Sequence, residues 1–130
     1  MIHPEITALT YAALLQVAQF VLYSITANKQ TGVEYAAGPR DTKHDLTGTA
    51  GRLQRALSNH FEGLILFTIA VIVITVSNQS TPLTAICAWV YLAARVAYVP
   101  AYVSGIPMLR SIVWFAGLVA TTIMLLTAIL

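Results

Sequence analysis

Four stretches of this chain are too long and too apolar to fold in water alone. They run roughly from Ile6 to Ala27, Leu53 to Val76, Pro82 to Val103 and Met108 to Leu130. Each has about the 20 residues a helix needs to cross a bilayer. In lipid every backbone N–H and C=O must be satisfied within the chain, so only helices and closed barrels can span. Barrel strands alternate in polarity at every second residue, and these stretches do not. Composition agrees: 58% of residues are hydrophobic and 9% charged, against about 25% charged in soluble domains. The expectation is an all-α membrane protein, one domain over 1–130, built as an up-down bundle of four transmembrane helices. The N-terminal MIHPEITALTYAALL has no basic region ahead of its apolar run, so it reads as a retained first span and not a signal peptide.

The connections are unequal. Asn28 to Gly51 is long and polar; Ser77 to Thr81 and Ser104 to Pro107 are short. Short links make consecutive helices antiparallel neighbours. Lys29, Arg40 and Lys43 lie in the long loop, Arg52 and Arg55 beside it, and Arg110 beside SGIP, whereas SNQST and MIHPEIT carry no Lys or Arg. By the positive-inside rule the long loop and SGIP face the cytoplasm and both termini lie on the opposite side.

Several functions lose support at this point. A net charge of +2 gives no reason to expect nucleic acid. One cysteine, Cys87, precludes an internal disulfide framework. His3, His44 and His60 are scattered, with no HxxxH or CxxC, so no metal site is expected. Ser111 has no neighbouring histidine to activate it as a hydrolase nucleophile.

The remaining polar residues form a pattern. At about 100° per residue, Arg52, Arg55, Asn59 and Glu62 share one face of the second helix, spread over about 80°. Tyr91, Arg95, Tyr98 and Tyr102 share a face of the third, and Arg110 and Ser111 open the fourth. The up-down topology brings all three stripes to the cytoplasmic side. Each residue has an ordinary explanation. Arg52 can snorkel to phosphates, the tyrosines can form an interfacial belt, and Arg55, Asn59 and Glu62 can form an internal ion-pair network. Arg95 is harder to place: it lies deeper and needs a carboxylate, and Glu62 reads as the only acid inside a span. Ionisable residues in spans usually face a bundle interior or a wet cavity. Together they describe a cationic pocket with one carboxylate and several phenols, suited to a small anion that carries an amine.

RLQRALSNHFE, with its R-x-x-R-A-x-x-N-x-x-E pattern, resembles the second-helix motif of the MAPEG family (membrane-associated proteins in eicosanoid and glutathione metabolism). YLAARVAYVPAY resembles its third-helix motif, and LRSIVWFAG the start of its fourth helix. NHFEG and YVPAYVSGIPMLRS resemble a bacterial branch, which implies a bacterial inner membrane. The resemblance implies a homotrimer with glutathione, or another low-molecular-weight thiol, bound between protomers as co-substrate. It assigns Arg55, Asn59 and Glu62 to glutathione, Glu62 to its amino group and Arg55 to a carboxylate. Tyr98 and Tyr102 would line the site, with Arg95 and Arg52 as supporting cations. Lys29 stands near a ligand-binding arginine of some members. Arg110 would hold the thiolate and Ser111 assist it, so that the thiolate attacks an apolar small molecule or a lipid hydroperoxide from the surrounding membrane lipid.

There are departures. Leu57 replaces the histidine often seen after R-A in the family, Ser58 stands where some prostaglandin-forming members have a second basic residue, and Gly63 follows the glutamate. Eicosanoid synthesis is therefore not the expectation. Two other classes compete with the enzyme: an accessory protein of the same fold that binds a lipid or another membrane protein, and a small channel or transporter. The chain has no inverted repeat and no broken span, which speaks against transport.

Overall fold

The computed structural model describes residues 3–32 and 47–130 of the chain. These form four helices: α1 (Pro4–Thr31), α2 (Gly48–Val76), α3 (Pro82–Ser104) and α4 (Pro107–Ile129). All four are long and apolar enough to cross a membrane. Most of the expected polar loop, including Arg40, Lys43 and His44, lies outside the described residues. The helices on either side overrun it. α1 continues past Ala27 to Thr31, and α2 starts at Gly48 and not near Leu53. Apolar content marks the membrane-embedded part of a helix, not its end. The Gln30 amide closes the gap: its Nε2 donates to the Thr47 carbonyl at 2.7 Å, and its Oε1 accepts the Thr47 N–H at 3.1 Å.

Proline opens α1, α3 and α4, where its missing N–H has no helical partner to lose. α3 is also capped by a reciprocal pair. Thr84 N–H donates to Thr81 Oγ1 at 3.2 Å, and Thr81 N–H to Thr84 Oγ1 at 2.8 Å. The Thr84 hydroxyl then donates to Glu5 Oε1 at 2.6 Å, and Ser80 Oγ reaches the same oxygen at 2.7 Å. Because α1 begins at Pro4, Glu5 lies inside a helix and is fully buried. Glu62 is thus not the only acid in a span, as the apolar boundary at Ile6 suggested.

α2 and α3 pack against each other and each also touches α1 and α4, while α1 and α4 do not meet among the described residues. The core lies along this central pair. Ala8 and Ala12 of α1, Phe67, Ala70, Val71 and Ile74 of α2, Ala88 and Tyr91 of α3, and Ala120 and Met124 of α4 are buried in one cluster. Small residues let the helices approach, as lipid-embedded bundles require. The Phe67 and Tyr91 rings stack with centroids 4.0 Å apart. Outside, Leu14, Val17, Phe20, Ile72, Ile86 and Ile112 are exposed, giving the bundle an apolar exterior.

The α3–α4 turn depends on one glycine. Gly105 has φ +79°, and a Cβ there would lie 3.2 Å from Arg52 Nη2. A left-handed non-glycine residue costs about 1–2 kcal/mol. Gly105→Ala is expected to lower stability by about that amount, read as an earlier unfolding midpoint in detergent; an unchanged midpoint would show that the turn relaxes freely.

Candidate functional site

The end of the bundle that holds the α2 N-terminus, the α3 C-terminus and the α4 N-terminus gathers the three polar stripes. A cleft of about 260 Å³ is lined by Arg55 and Asn59 of α2, Tyr98 and Tyr102 of α3, and Arg110, Ser111 and Trp114 of α4. Six of these seven were expected, Arg55, Asn59, Tyr98 and Tyr102 from helical spacing and Arg110 and Ser111 from the up-down topology. Trp114 was not: it lies one turn beyond Arg110 in an apolar run, where nothing in the sequence sets it apart.

Tyr102 organises the cleft. Its hydroxyl accepts a hydrogen bond from Arg55 Nε at 3.1 Å. Its ring has the Arg110 guanidinium 4.7 Å from the centroid and that of Arg55 at 5.8 Å. The Tyr98 ring lies 5.6 Å away, and Arg95 sits 4.3 Å over it. Ring faces attract cations without neutralising them. The partners of these guanidiniums among the described residues are rings, a hydroxyl, an amide and an imidazole, not carboxylates. The cleft therefore keeps its positive charge for an anion.

Arg95 is 3% exposed and stands behind the cleft. It does not pair with Glu62, contrary to the expectation that it needs a carboxylate. Its Nη1 donates to Asn59 Oδ1 at 3.0 Å and its Nε to His60 Nδ1 at 3.4 Å. An amide, an imidazole and an aromatic face stand where a carboxylate was expected. Arg95, Asn59 and Glu62 line a second, deeper chamber of about 180 Å³, together with Gly63, Tyr91, Trp114 and Thr121. Asn59 and Trp114 belong to both spaces. Arg95 Nη2 and the Tyr91 hydroxyl are buried without a hydrogen-bond partner. Glu62 borders this chamber but is itself exposed, as is Arg55, and the guanidinium of Arg55 meets Tyr102 and not Glu62.

Two expected residues stand apart. Arg52 does not line the cleft: its Nη1 donates to the Val103 carbonyl at 3.1 Å, where a cation meets the negative end of the α3 dipole. Lys29 is exposed in the last turn of α1 and does not line the cleft either. Ser111 borders the cleft and also an apolar recess of about 420 Å³ with Ile112, Trp114 and Phe115. Among the described residues no group of three His, Cys, Asp or Glu side chains is arranged to hold a metal.

A four-helix integral membrane protein with an arginine-lined cleft at one end is the class that this fold and site define. The chain belongs to the MAPEG family, whose sequence profile matches residues 7–130. No curated protein matches it.

Proposed function

We propose that the protein is a membrane-bound glutathione transferase or peroxidase, which turns the thiol of glutathione into a thiolate and delivers it to an apolar electrophile or a lipid hydroperoxide. The observation that carries this reading is the Arg110 guanidinium, held on the Tyr102 ring at 4.7 Å beside Ser111 and with no carboxylate partner among the described residues.

Only the thiolate of a thiol attacks well, and a free thiol has a pKa of about 8.5. A fixed cation in a low-dielectric site favours the charged form. Arg110 supplies that cation, and Ser111, which borders the same cleft, takes the assisting role. Arg55 and Asn59 take the carboxylates of glutathione and Glu62 its ammonium group, with Tyr98 and Tyr102 as walls. The apolar recess beside Ser111 receives the second substrate from the bilayer. In conjugation the sulfur forms a bond to carbon, the leaving group departs with the electron pair, and the thiol proton goes to solvent. With a hydroperoxide the sulfur attacks the O–O bond and an alcohol leaves. The sulfenic acid of glutathione so formed then condenses with a second glutathione, giving the disulfide and water.

A homotrimer with the site at the boundary between copies fits the exposure of Arg55 and Glu62. A cytoplasmic cleft in a bacterial inner membrane fits the clustering of Lys29, Arg52, Arg55 and Arg110 at this end. The test is ultraviolet absorbance at the thiolate band after glutathione is added to protein in detergent. Thiolate absorbance is expected at neutral pH; its absence in folded protein would favour an accessory protein that binds a lipid or a membrane partner. Glu62→Gln should weaken glutathione about tenfold, the order of one charge-assisted hydrogen bond. Affinity for an analogue lacking the amino group should not change. Equal loss for both ligands would remove Glu62 from its assigned role.

A further inference from the structure

His60 takes no part in the cleft, yet it is completely buried, and its ring spans the space between α1 and Arg95. Its Nε2 lies 3.1 Å from the carbonyl oxygen of Ala12 in α1. A carbonyl oxygen only accepts, so Nε2 carries the proton. In the neutral ring Nδ1 then holds a lone pair, and it faces Arg95 Nε at 3.4 Å, a group that only donates. The next link is fixed in the same way. Arg95 Nη1 donates to the Asn59 side chain at 3.0 Å, and an arginine cannot accept. The amide oxygen of Asn59 therefore turns inward and its NH₂ is the end left for a ligand. Two N–H donors suit a carboxylate. The same guanidinium lies on Tyr98, so one imidazole steadies two residues of the cleft. His60 is completely buried and Arg95 is 3% exposed, which keeps bulk water from replacing either link.

We propose that His60 is a positioning residue: it carries the fixed backbone of α1 through Arg95 to Asn59 and so aims the Asn59 amide at a carboxylate of the thiol co-substrate. The inference rests on the function proposed above, and the test keeps the two separable.

Three proteins are compared: wild type, His60→Phe, which fills the site but neither donates nor accepts, and His60→Gln, which retains one donor and one acceptor. The first measurement needs no substrate. In protein labelled with ¹⁵N-histidine, the resonances lost in His60→Gln identify His60, and in wild type they should show a proton on Nε2 and none on Nδ1. A proton on Nδ1 would overturn the relay, whether or not His60→Phe folds.

The second measurement is glutathione titration followed by thiolate absorbance, with melting recorded in parallel. His60→Phe should bind glutathione about tenfold more weakly, the effect of losing one well-aimed polar contact. Its kcat at saturating glutathione should stay within about twofold, because Arg110 is untouched and lost ground-state binding appears in KM. His60→Gln should recover most of the affinity. Folded His60→Phe with wild-type affinity would overturn the proposal, as would an equal fall in kcat and affinity that glutamine does not rescue. Wild type that binds no thiol but shows the Nε2–H ring would support the hydrogen-bonded relay, remove its assignment to thiol binding, and overturn the proposed function.

Discussion

Arg110→Ala should lower the rate of thiolate attack about 100- to 1,000-fold, the loss seen when one preorganised stabilising donor is removed from an active site. The reason is geometric. Arg110 is half-buried at the start of α4, and its guanidinium is set by the Tyr102 ring. It is already in place before the sulfur loses its proton, so no reorganisation is needed as the charge develops. Glutathione affinity should fall much less, because Arg55, Asn59 and Glu62 remain. The loss should therefore appear in the thiolate absorbance of bound glutathione and in kcat. Arg110→Lys should recover part of it, since lysine restores charge but not the planar group that lies on the ring. Full activity in folded Arg110→Ala would sink the assignment of thiolate stabilisation to this residue.

The second large effect is expected at the opposite end of the bundle and on stability alone. Thr84→Val should cost about 3 kcal/mol, from roughly 2 for a hydrogen bond to a buried carboxylate and about 1 for the lost cap. The substitution keeps side-chain volume, so little of that arises from a cavity. Thr84 Oγ1 accepts the Thr81 N–H while donating to Glu5 Oε1. Glu5 Oε2 already has no partner, so losing Thr84 leaves the carboxylate with the Ser80 hydroxyl as its remaining side-chain donor among the described residues. Unfolding in detergent should shift to a markedly lower midpoint, with glutathione affinity unchanged. A wild-type midpoint would show that the Glu5 cluster contributes nothing to stability.

How far the chain could be read in advance depended on what a single helix reveals. Spans were legible because apolar length is a one-dimensional property. The cleft was legible because Arg55, Asn59, Tyr98, Tyr102, Arg110 and Ser111 are polar in runs where polarity is costly. Their convergence followed once short connections fixed the helix directions. Partnerships were not legible. His60 is next to Asn59 in sequence, but a helical wheel gives its angle on α2 and not what it meets on α1 and α3. Arg95 was assigned a carboxylate because charge suggested one, whereas the fold sets it against Asn59, His60 and the Tyr98 ring. Glu5 was missed because it precedes the apolar stretch by one residue. Trp114 was missed because a tryptophan facing lipid and one facing a cleft have the same neighbours in sequence.

The amide hook between Gln30 and Thr47 fixes the two ends of the chain that joins α1 to α2. Once both ends are anchored, the length of what lies between matters little to the bundle, because doubling a closed loop costs only about 0.6 kcal/mol. The hook thus makes the joining segment a tolerant insertion point. An affinity tag or a reporter domain placed there is expected to leave the arginine cleft in its present form.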